Sequence, residues 1–393
     1  MMNYVKLADC CEKITDYVAS GSFASLKANV LITNQPNYAI MVKTADFSNG
    51  FTKGLTYTDK HGYEFLSNSN LFGGELILSN IGSIGKVFIV PNLHCPMTLA
   101  SNSIMVKPNK DFSVKYLYYL FSSKYGYNTL LSISSGTSMK KFNKTMLKEV
   151  LIQLRTSEEQ HRIVHELDDI NLAIENKKQV FSSLDELVKS RFIEMFGEPL
   201  VNEYNFPKKK LSDTFLLSAG GTPKTDKKEY WDNGTISWIG SNMCQNQILY
   251  QNDGKYITEL GLKNSSAKIF DVDTVLIALV GATIGKTALL KFPTATNQNV
   301  LGIQKIANVA YNPYFVYYYM QGVYDRFIDL GDGKFKMASK GFVGDLEIFV
   351  VDLHLQNEFA EFVKLIDKSK FIVQQQIKDL QELLDSKMDE YFR

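Results

Sequence analysis

A stretch of 37 residues occurs twice in this chain, and this repeat constrains the fold more than any other feature of the sequence. Residues 160–196 align with residues 356–392 without a gap, at an offset of 196. Nine of the 37 aligned pairs are identical, which indicates an internal duplication. The identical pairs are Gln160/Gln356, Ile170/Ile366, Gln179/Gln375, Leu184/Leu380, Glu186/Glu382, Leu187/Leu383, Ser190/Ser386, Glu194/Glu390 and Phe196/Phe392.

Both copies carry apolar residues at alternating steps of three and four, which is the spacing of a coiled-coil seam. A helix of 37 residues is about 55 Å long, whereas globular helices typically have ~10–14 residues. Two such helices in one chain can return antiparallel and bury both seams. A lysine interrupts each seam, at Lys177 and Lys370, and it either fixes the register of the pair or extends its ammonium group to water. The predicted seam consists of Leu167, Ile170, Ile174, Phe181, Leu184, Val188, Val363, Ile366, Val373, Ile377, Leu380 and Leu384.

The ends of the two helices have different signals. Ser157 and Gln160 have the spacing of a capping box at the start of the first helix, and Gly197 with Pro199 ends it. Asp352 is the expected cap of the second helix.

The segments before the two helices also share an order of features. In the first segment, strands are predicted at 75–78 and 87–90 around a glycine turn at 82–86, and an aromatic helix at 112–121. The second segment repeats this order with strands at 274–280 and 287–290, a turn at 281–286 and an aromatic helix at 313–320.

The predicted fold class is therefore α/β (α+β), in which a mixed globular domain and a long helix are duplicated in tandem. The two helices are expected to pair as an antiparallel coiled coil. The predicted boundaries are 1–152 for the first globular domain, 153–197 for the first helical spacer, 198–352 for the second globular domain and 353–393 for the second helical spacer.

Composition limits the class of protein. The 393 residues are 45% hydrophobic and 22% charged, which is typical of a globular protein. No signal peptide and no membrane span are predicted. The four cysteines have no regular spacing and are expected to be reduced thiols, so we expect a cytoplasmic protein.

The net charge of +1 conceals an uneven distribution. Residues 1–152 hold 15 lysines and 9 acidic residues, whereas residues 153–197 hold 6 basic and 9 acidic residues. A protein that contacts nucleic acid through its globular parts would show this division, although many other proteins do as well.

Lysines in polar loops are the first candidates for nucleic-acid contacts, because lysine binds phosphate without reading sequence. The alternative is that these lysines are merely solvated. Asn242 and Gln245 can read base edges, or they can serve as ordinary loop residues. Tyr230, Trp231 and Trp238 are predicted to be core residues, and the alternative is that they stack on bases. The candidate DNA-binding residues are Lys140, Lys141, Lys144, Lys224, Lys227, Lys228, Asn242, Gln245, Lys334, Lys336 and Lys340.

Three motifs suggest chemistry that their context does not support. The glycines in 281–287 are separated by three residues, one fewer than in a phosphate-binding loop, and a strand follows them. Residues 311–314 read YNPY, which resembles the NPPY motif of adenine methyltransferases but has only one proline. His161 and His165 have no neighbouring ligands that complete a zinc site, so no metal site is predicted.

Several stretches in register resemble one known family. They are GGTPK at 220–224, EYW at 229–231, ISWI at 236–239, VGATIGK at 280–286, NQ at 297–298 and EEQHRI at 158–163. Together with the helical repeat, they make the chain similar to the DNA-specificity (S) subunit of type I restriction–modification systems, over essentially its whole length.

This resemblance implies a sequence-specific DNA-binding subunit without catalytic residues. Its two target-recognition domains would each read one half of a bipartite site in double-stranded DNA, and the long helices would space them. It implies two methyltransferase (M) subunits and restriction/translocase (R) subunits as partners. No cofactor is expected on this chain, whereas S-adenosylmethionine, ATP and Mg are expected on the partner subunits. The alternatives are a coiled-coil scaffold that does not bind DNA and a free-standing DNA-modifying enzyme.

Overall fold

The fold is described from a computed structural model, which covers residues 4–137, 139–306, 309–330 and 337–393. The chain divides into two compact units. The first consists of Met1–Lys178 and Gln375–Arg393, and the second of Gln179–Gln374. Each unit therefore contains one globular segment and a part of both long helices. None of the helices in the described ranges is long and apolar enough to cross a membrane.

The globular part of the first unit is built from short strands and helices. Its strands are β1 (Tyr4–Lys6), β2 (Cys11–Asp16), β3 (Ala39–Val42), β4 (Tyr57–Thr58), β5 (Asn70–Leu71), β6 (Leu76–Ser79), β7 (Val87–Ile89), β8 (Met97–Leu99), β9 (Ser103–Pro108) and β10 (Leu151–Gln153). Its helices are α1 (Phe23–Asn29), α2 (Thr44–Ser48), α3 (Lys60–Phe65), α4 (Val114–Ser122), α5 (Lys124–Ser132) and α6 (Lys144–Lys148).

These strands form three small sheets. One has the order β2-β9-β6-β7 and is antiparallel throughout, and another has the order β4-β3-β8-β5, in which β3 and β8 are parallel. β1 and β10 pair separately and bring the two ends of the globular segment together. The predicted strand–turn–strand of this segment is confirmed as β6 and β7, with Leu76 opposite Ile89.

The globular part of the second unit has a similar set of elements. Its strands are β11 (Lys208–Lys210), β12 (Phe215–Ala219), β13 (Ile236–Ile239), β14 (Gln247–Leu249), β15 (Tyr256–Ile257), β16 (Ile269–Phe270), β17 (Val275–Ala278), β18 (Thr287–Leu290), β19 (Thr294–Thr296), β20 (Val300–Lys305) and β21 (Glu347–Phe349). The long helix α7 (Ser157–Phe196) precedes these strands in the chain. The short helices of this part are α8 (Leu211–Thr214), α9 (Glu259–Lys263), α10 (Pro313–Gly322), α11 (Asp325–Ile328) and α12 (Lys340–Asp345).

The sheets of the second unit repeat those of the first. The order β12-β20-β17-β18 matches β2-β9-β6-β7 and gains β14 at its end, and β15-β13-β19-β16 matches β4-β3-β8-β5. The parallel pair recurs as β13 and β19, and the closing pair as β11 and β21. The tandem duplication predicted from the sequence is thus a duplication of the fold.

Two long helices complete the units. The first is α7 with 40 residues, and the second is α13 (Leu353–Tyr391) with 39 residues. Gly197 follows α7 with φ of 72°, a left-handed conformation that suits glycine after a helix. The N–H of His354 donates to Asp352 Oδ1 at 2.7 Å, which confirms Asp352 as the cap of α13.

The predicted capping box of α7 is wrong by one residue. Thr156 Oγ1 accepts from the N–H of Glu159 at 3.2 Å, and Glu159 Oε2 accepts from the N–H of Thr156 at 2.9 Å. The box is therefore formed by Thr156 and Glu159. The Gln160 side chain is instead buried, and its Oε1 accepts a hydrogen bond from the N–H of Ser113 at 2.8 Å.

Within each unit the two helix segments run antiparallel. In the first unit Glu166 pairs with Lys387 at 3.1 Å, and Arg155 donates to the carbonyl of Tyr391 at 3.3 Å. In the second, Arg191 pairs with Glu358 at 3.2 Å, and Lys370 pairs with Asp185 further along. In both units, partner numbers fall along α13 as they rise along α7.

The predicted seam lies at the least exposed positions of the helices. Leu167, Ile170, Ile174, Val188, Val363, Ile366 and Val373 are buried, and Phe181, Leu184, Ile377, Leu380 and Leu384 are half-buried. Of the two seam lysines, Lys177 is half-buried, and Lys370 binds Asp185 with its ammonium 5.7 Å from the centre of the Phe181 ring. This cross-helix pair favours the interpretation in which Lys370 fixes register.

Candidate nucleic-acid interface

A row of polar loops forms one edge of the second unit. The parallel strands β13 and β19 end at the same edge, and Asn297 donates its backbone N–H to Ile239 O at 3.1 Å. Gly240 follows β13, where a Cβ would lie 2.5 Å from Asn242 Oδ1 and 3.6 Å from Asn297 Nδ2. Thr222 donates to Gln298 Oε1 at 2.6 Å. Side-chain amides from two separate loops therefore meet here, and we call this surface the amide edge.

The turn between β17 and β18 extends the amide edge. Lys286, at the end of this turn, donates to Gln245 Oε1 at 2.9 Å. Met337 forms an isolated β-bridge with Val280 at the start of the same turn. Because Gln245 and Asn242 are exposed, their amides are accessible to a ligand that offers both donors and acceptors, as a base edge does.

The first unit carries lysines at the topologically equivalent edge. Lys141 forms isolated bridges with Ile81 and Ser135, so Lys141 lies beside the turn between β6 and β7. Asn80 Nδ2 donates to Phe142 O at 2.8 Å and secures the loop. Lys140 and Lys141 are both exposed there. We call this surface the lysine edge.

The structure distinguishes Lys144 from these two lysines. Its Nζ lies 2.9 Å from Asp16 Oδ1, and the Asp16 side chain is 14% exposed. The charge of Lys144 is therefore compensated within the unit. Lys334 and Lys336 lie outside the described residues, and Lys340 is exposed at the start of α12, where it lines a groove of about 610 Å³ with Lys268 and Gln304.

The loop 224–228 contributes Thr225 to the lining of an aromatic pocket of about 580 Å³, whose lining also includes Trp231, Trp238 and Tyr256. Trp231 Nε1 donates to Lys224 O at 3.1 Å, and the rings of Trp231 and Trp238 lie edge to face at 5.1 Å. Tyr230 and Trp238 are buried, as predicted for core residues, whereas Trp231 is half-buried at the pocket. Lys224, Lys227 and Lys228 are all exposed. Lys227 bonds the Tyr230 hydroxyl at 3.3 Å, and this contact raises the pKa of Lys227.

The described residues hold no group of His, Cys, Asp and Glu side chains that could bind a metal ion. His165 lies 3.0 Å from Asp169, and His161 contacts the backbone carbonyl of Ser157 at 2.6 Å. Burial raises the pKa of the Cys10 thiol to about 11 and that of Cys244 to about 12, so these thiols stay protonated near neutral pH.

The family comparison follows the duplication seen in the fold. The model of the type I restriction modification DNA specificity domain matches residues 2–183 and again residues 204–382. The chain belongs to this family. The two matches cover both globular segments and extend into both long helices.

A known protein that is similar to this chain supports the family assignment. The specificity subunit of the type I restriction enzyme MjaIX from Methanocaldococcus jannaschii is 27% identical over 264 residues, which are 62% of this chain and 59% of that protein. The chain thus matches less than two thirds of that relative.

Two solved structures share the fold. The S subunit of a type I restriction–modification system from M. genitalium has a TM-score of 0.52 at 16% identity, and the match covers 100% of this chain and 96% of that one. A chain from a study of complex assembly and conformational transition of the type I R-M system has a TM-score of 0.64 at 14% identity, with 100% and 97% covered.

The sequence prediction of this specificity chain missed several members of the amide edge. Thr222, Lys286, Asn297 and Gln298 were not among the candidate DNA-binding residues. A signal was present, because each residue lies in a loop that follows a strand. The contacts that bring these loops together, Thr222 with Gln298 and Lys286 with Gln245, join residues that are 76 and 41 positions apart in the chain.

Proposed function

We propose that this chain is the non-catalytic specificity subunit of a type I restriction–modification complex, and that each unit reads one half of a bipartite site in double-stranded DNA. The observation that carries the proposal is a contrast between the units. They share their sheet order, yet one presents the lysine edge and the other the amide edge. A duplicated scaffold with two different polar edges suits two different half-sites.

The two edges would contribute differently to binding. Exposed lysines such as Lys140 and Lys141 neutralise phosphates, which sets affinity and position without reading sequence. Amide side chains such as Asn242 and Gln245 can form paired hydrogen bonds with adenine in the major groove. The bond from Lys286 holds the Gln245 amide in one orientation before DNA arrives, which reduces the entropy lost on binding.

The chemistry would reside on partner subunits. We propose two methyltransferase subunits that bind S-adenosylmethionine and restriction/translocase subunits that use ATP and Mg. The long helices would set the gap between the half-sites, since a helix of about 55 Å exceeds one turn of DNA at ~34–36 Å.

The test is methylation by the reconstituted complex. The chain is combined with the methyltransferase subunit of its own system, and methylated adenines are mapped on genomic DNA. A single bipartite motif is expected, and the chain alone should transfer no methyl groups. Transfer by the chain alone would favour the free-standing enzyme, and a complex that does not shift DNA in a gel would favour the scaffold.

A further inference from the structure

The aromatic pocket of about 580 Å³ in the second unit lies next to the amide edge. Thr222 belongs to its lining and donates to Gln298 Oε1 in that edge. Trp238 also lines the pocket and stands in β13, the strand that leads into the amide edge. The volume falls within the ~300–1,000 Å³ that is usual for small-molecule sites. We call this cavity the Trp231 pocket.

The walls of the Trp231 pocket offer aromatic ring surfaces. Trp231 Nε1 donates to Lys224 O and Trp238 Nε1 donates to Gly221 O, both at 3.1 Å, so both indole N–H groups are already engaged. These bonds also fix the two rings, which lie edge to face at 5.1 Å. The Tyr256 ring is 43% exposed and forms an accessible side of the pocket. These rings would therefore hold a ligand by its flat surface and not by hydrogen bonds.

The rim of the pocket carries polar and basic groups. Asn233 is exposed and belongs to the lining, so its side-chain amide can donate to a ligand and accept from it. The loop 224–228, which carries Thr225 of the lining, holds three lysines and one aspartate. Lys224 and Lys228 are exposed, and neither takes part in an ion pair within the part of the chain that the structure describes. Both are available to phosphate groups of a ligand that stacks in the pocket.

The first unit fills the equivalent position. Met41 in β3 is equivalent to Trp238 in β13, because each donates its N–H to the carbonyl just before its antiparallel neighbour, β4 or β15. Met41 is 2% exposed and packs in a cluster with Leu66 and with Leu26 of α1. Residues 220–235, all of which are described, contain no α-helix that could take the place of α1. The pocket is therefore open in the second unit, whereas α1 closes its counterpart in the first.

We propose that the Trp231 pocket holds one nucleobase displaced from the DNA duplex beside the half-site that the second unit reads. The inference rests on the proposed function, which supplies the DNA. Trp231 and Tyr256 would stack on the base, while Lys224 and Lys228 would contact the phosphates next to it. Stacking on aromatic rings offsets part of the cost of taking a base out of the duplex. Sites whose base pairs open easily at this position would thus bind more tightly without direct readout of the base.

The first test uses the fluorescence of the full chain. Trp231 and Trp238 are its only tryptophans, so indole fluorescence reports on this pocket. Single-stranded oligothymidylate of about four nucleotides should quench it saturably, and Tyr256→Ala should weaken that binding about tenfold. Absence of quenching would overturn the proposal. Equal affinity for free thymidine monophosphate would also overturn it, in favour of a site for free nucleotides.

The second test uses the chain in complex with the methyltransferase subunit, on duplexes that carry the methylated motif. A single mismatch is moved through the half-site of the second unit and its flanks, and affinity is measured by fluorescence anisotropy. One position should bind about tenfold more tightly than the paired duplex, because a mismatch lowers the cost of displacement. Tyr256→Ala should abolish that gain. If every gain persists in Tyr256→Ala, the displaced base belongs to another subunit and the proposal is overturned.

Two further variants separate recognition from folding. Thr225→Asp changes an exposed side chain of the lining and would repel the phosphates, so it should weaken binding as Tyr256→Ala does while both keep the wild-type unfolding temperature. Tyr204→Ala is the matched control: Tyr204 is 54% exposed in the same unit and is not part of the pocket lining, so it should bind like the wild type. Wild-type affinity in Tyr256→Ala and Thr225→Asp would overturn the proposal.

The outcomes also distinguish the pocket from the proposed function. If the complex binds its bipartite duplex specifically but no mismatch raises the affinity, the pocket proposal alone fails. If the wild-type complex does not bind the bipartite duplex at all, the proposed function itself fails.

Discussion

Gln160 accepts a hydrogen bond at 2.8 Å from the backbone N–H of Ser113, the residue that caps helix α4. Its Nε2 donates to Asp111 O and Arg155 O at 3.1 and 3.0 Å, so the side chain joins the start of α7 to the aromatic helix. Gln356 makes the same contact with the N–H of Asn312 at 2.9 Å in the second unit. Both glutamines are buried, and this explains why the pair is identical in the two copies.

Replacing Gln160 by Ala should destabilise the first unit by about 2–3 kcal/mol, because buried backbone groups lose their partners. Chemical denaturation followed by circular dichroism measures the loss. Gln375→Ala is the control: Gln375 also belongs to an identical pair but is exposed, so a change within about 0.5 kcal/mol is expected. Equal effects of the two variants would contradict the buried role of Gln160.

Substitutions of Lys140 and Lys141 in the lysine edge should affect DNA binding, whereas substitution of Lys144 should affect stability. Lys140→Ala and Lys141→Ala should each weaken DNA binding for all sequences and lower the salt slope by about 1. Lys144→Ala should leave the slope unchanged and lower stability, because Asp16 loses its partner. Fluorescence anisotropy at several salt concentrations measures the slopes. A slope change for Lys144→Ala alone would exclude this assignment.

The amide edge should control sequence preference in its half-site. Gln245→Ala should cost about 1–3 kcal/mol of discrimination at one base pair. Lys286→Met should relax the same position, because the Gln245 amide loses the bond that orients it. Binding to a library of half-site variants measures both effects. Changed preference at the other half-site would contradict the division between units.

The pairing of the helix segments in the first unit should become less stable at acid pH. The hydroxyl of Tyr391 and then the ammonium of Lys387 hydrogen-bond Glu166 and lower the pKa of its carboxyl. A lowered folded-state pKa contributes stability above the ordinary pKa of 4.5, and that stability is lost as pH falls through the folded-state value. Urea unfolding between pH 6 and pH 3 should show this loss, and Tyr391→Phe should reduce it. An unaltered pH profile in Tyr391→Phe would remove Tyr391 as the main cause.

The proposed spacing role of the helices is tested by insertion. Seven residues added to each helix, after Lys178 and after Gln374, lengthen a helix by about 10 Å, which is roughly three base pairs. The gap in the methylated motif should grow while both half-sites stay the same. Altered half-sites would show that the helices do more than set distance.

Local patterns predicted much of the fold. The step of three and four identified the seam, and glycine turns between apolar runs identified β6/β7 and β17/β18. These signals lie in neighbouring residues, so they can be read without tertiary contacts. The cap of α7 was misplaced by one residue because Ser157 and Thr156 are equally suitable by type, and the choice depends on the burial of Gln160.

The sequence by itself determined the duplication, the two long helices and the family resemblance, since repeats and heptad spacing are properties of residue order. Only the tertiary structure decided which polar residues act together. The amide edge depends on parallel strands 57 residues apart in sequence (Trp238 and Ala295). Asn171 and the aligned Asp367 differ by one side-chain atom, yet Asn171 Nδ2 donates to the Tyr119 hydroxyl at 3.0 Å, whereas the buried Asp367 Oδ2 has no hydrogen-bond partner among the described residues. Hydrogen-bond satisfaction is a three-dimensional property, and residue order does not contain it.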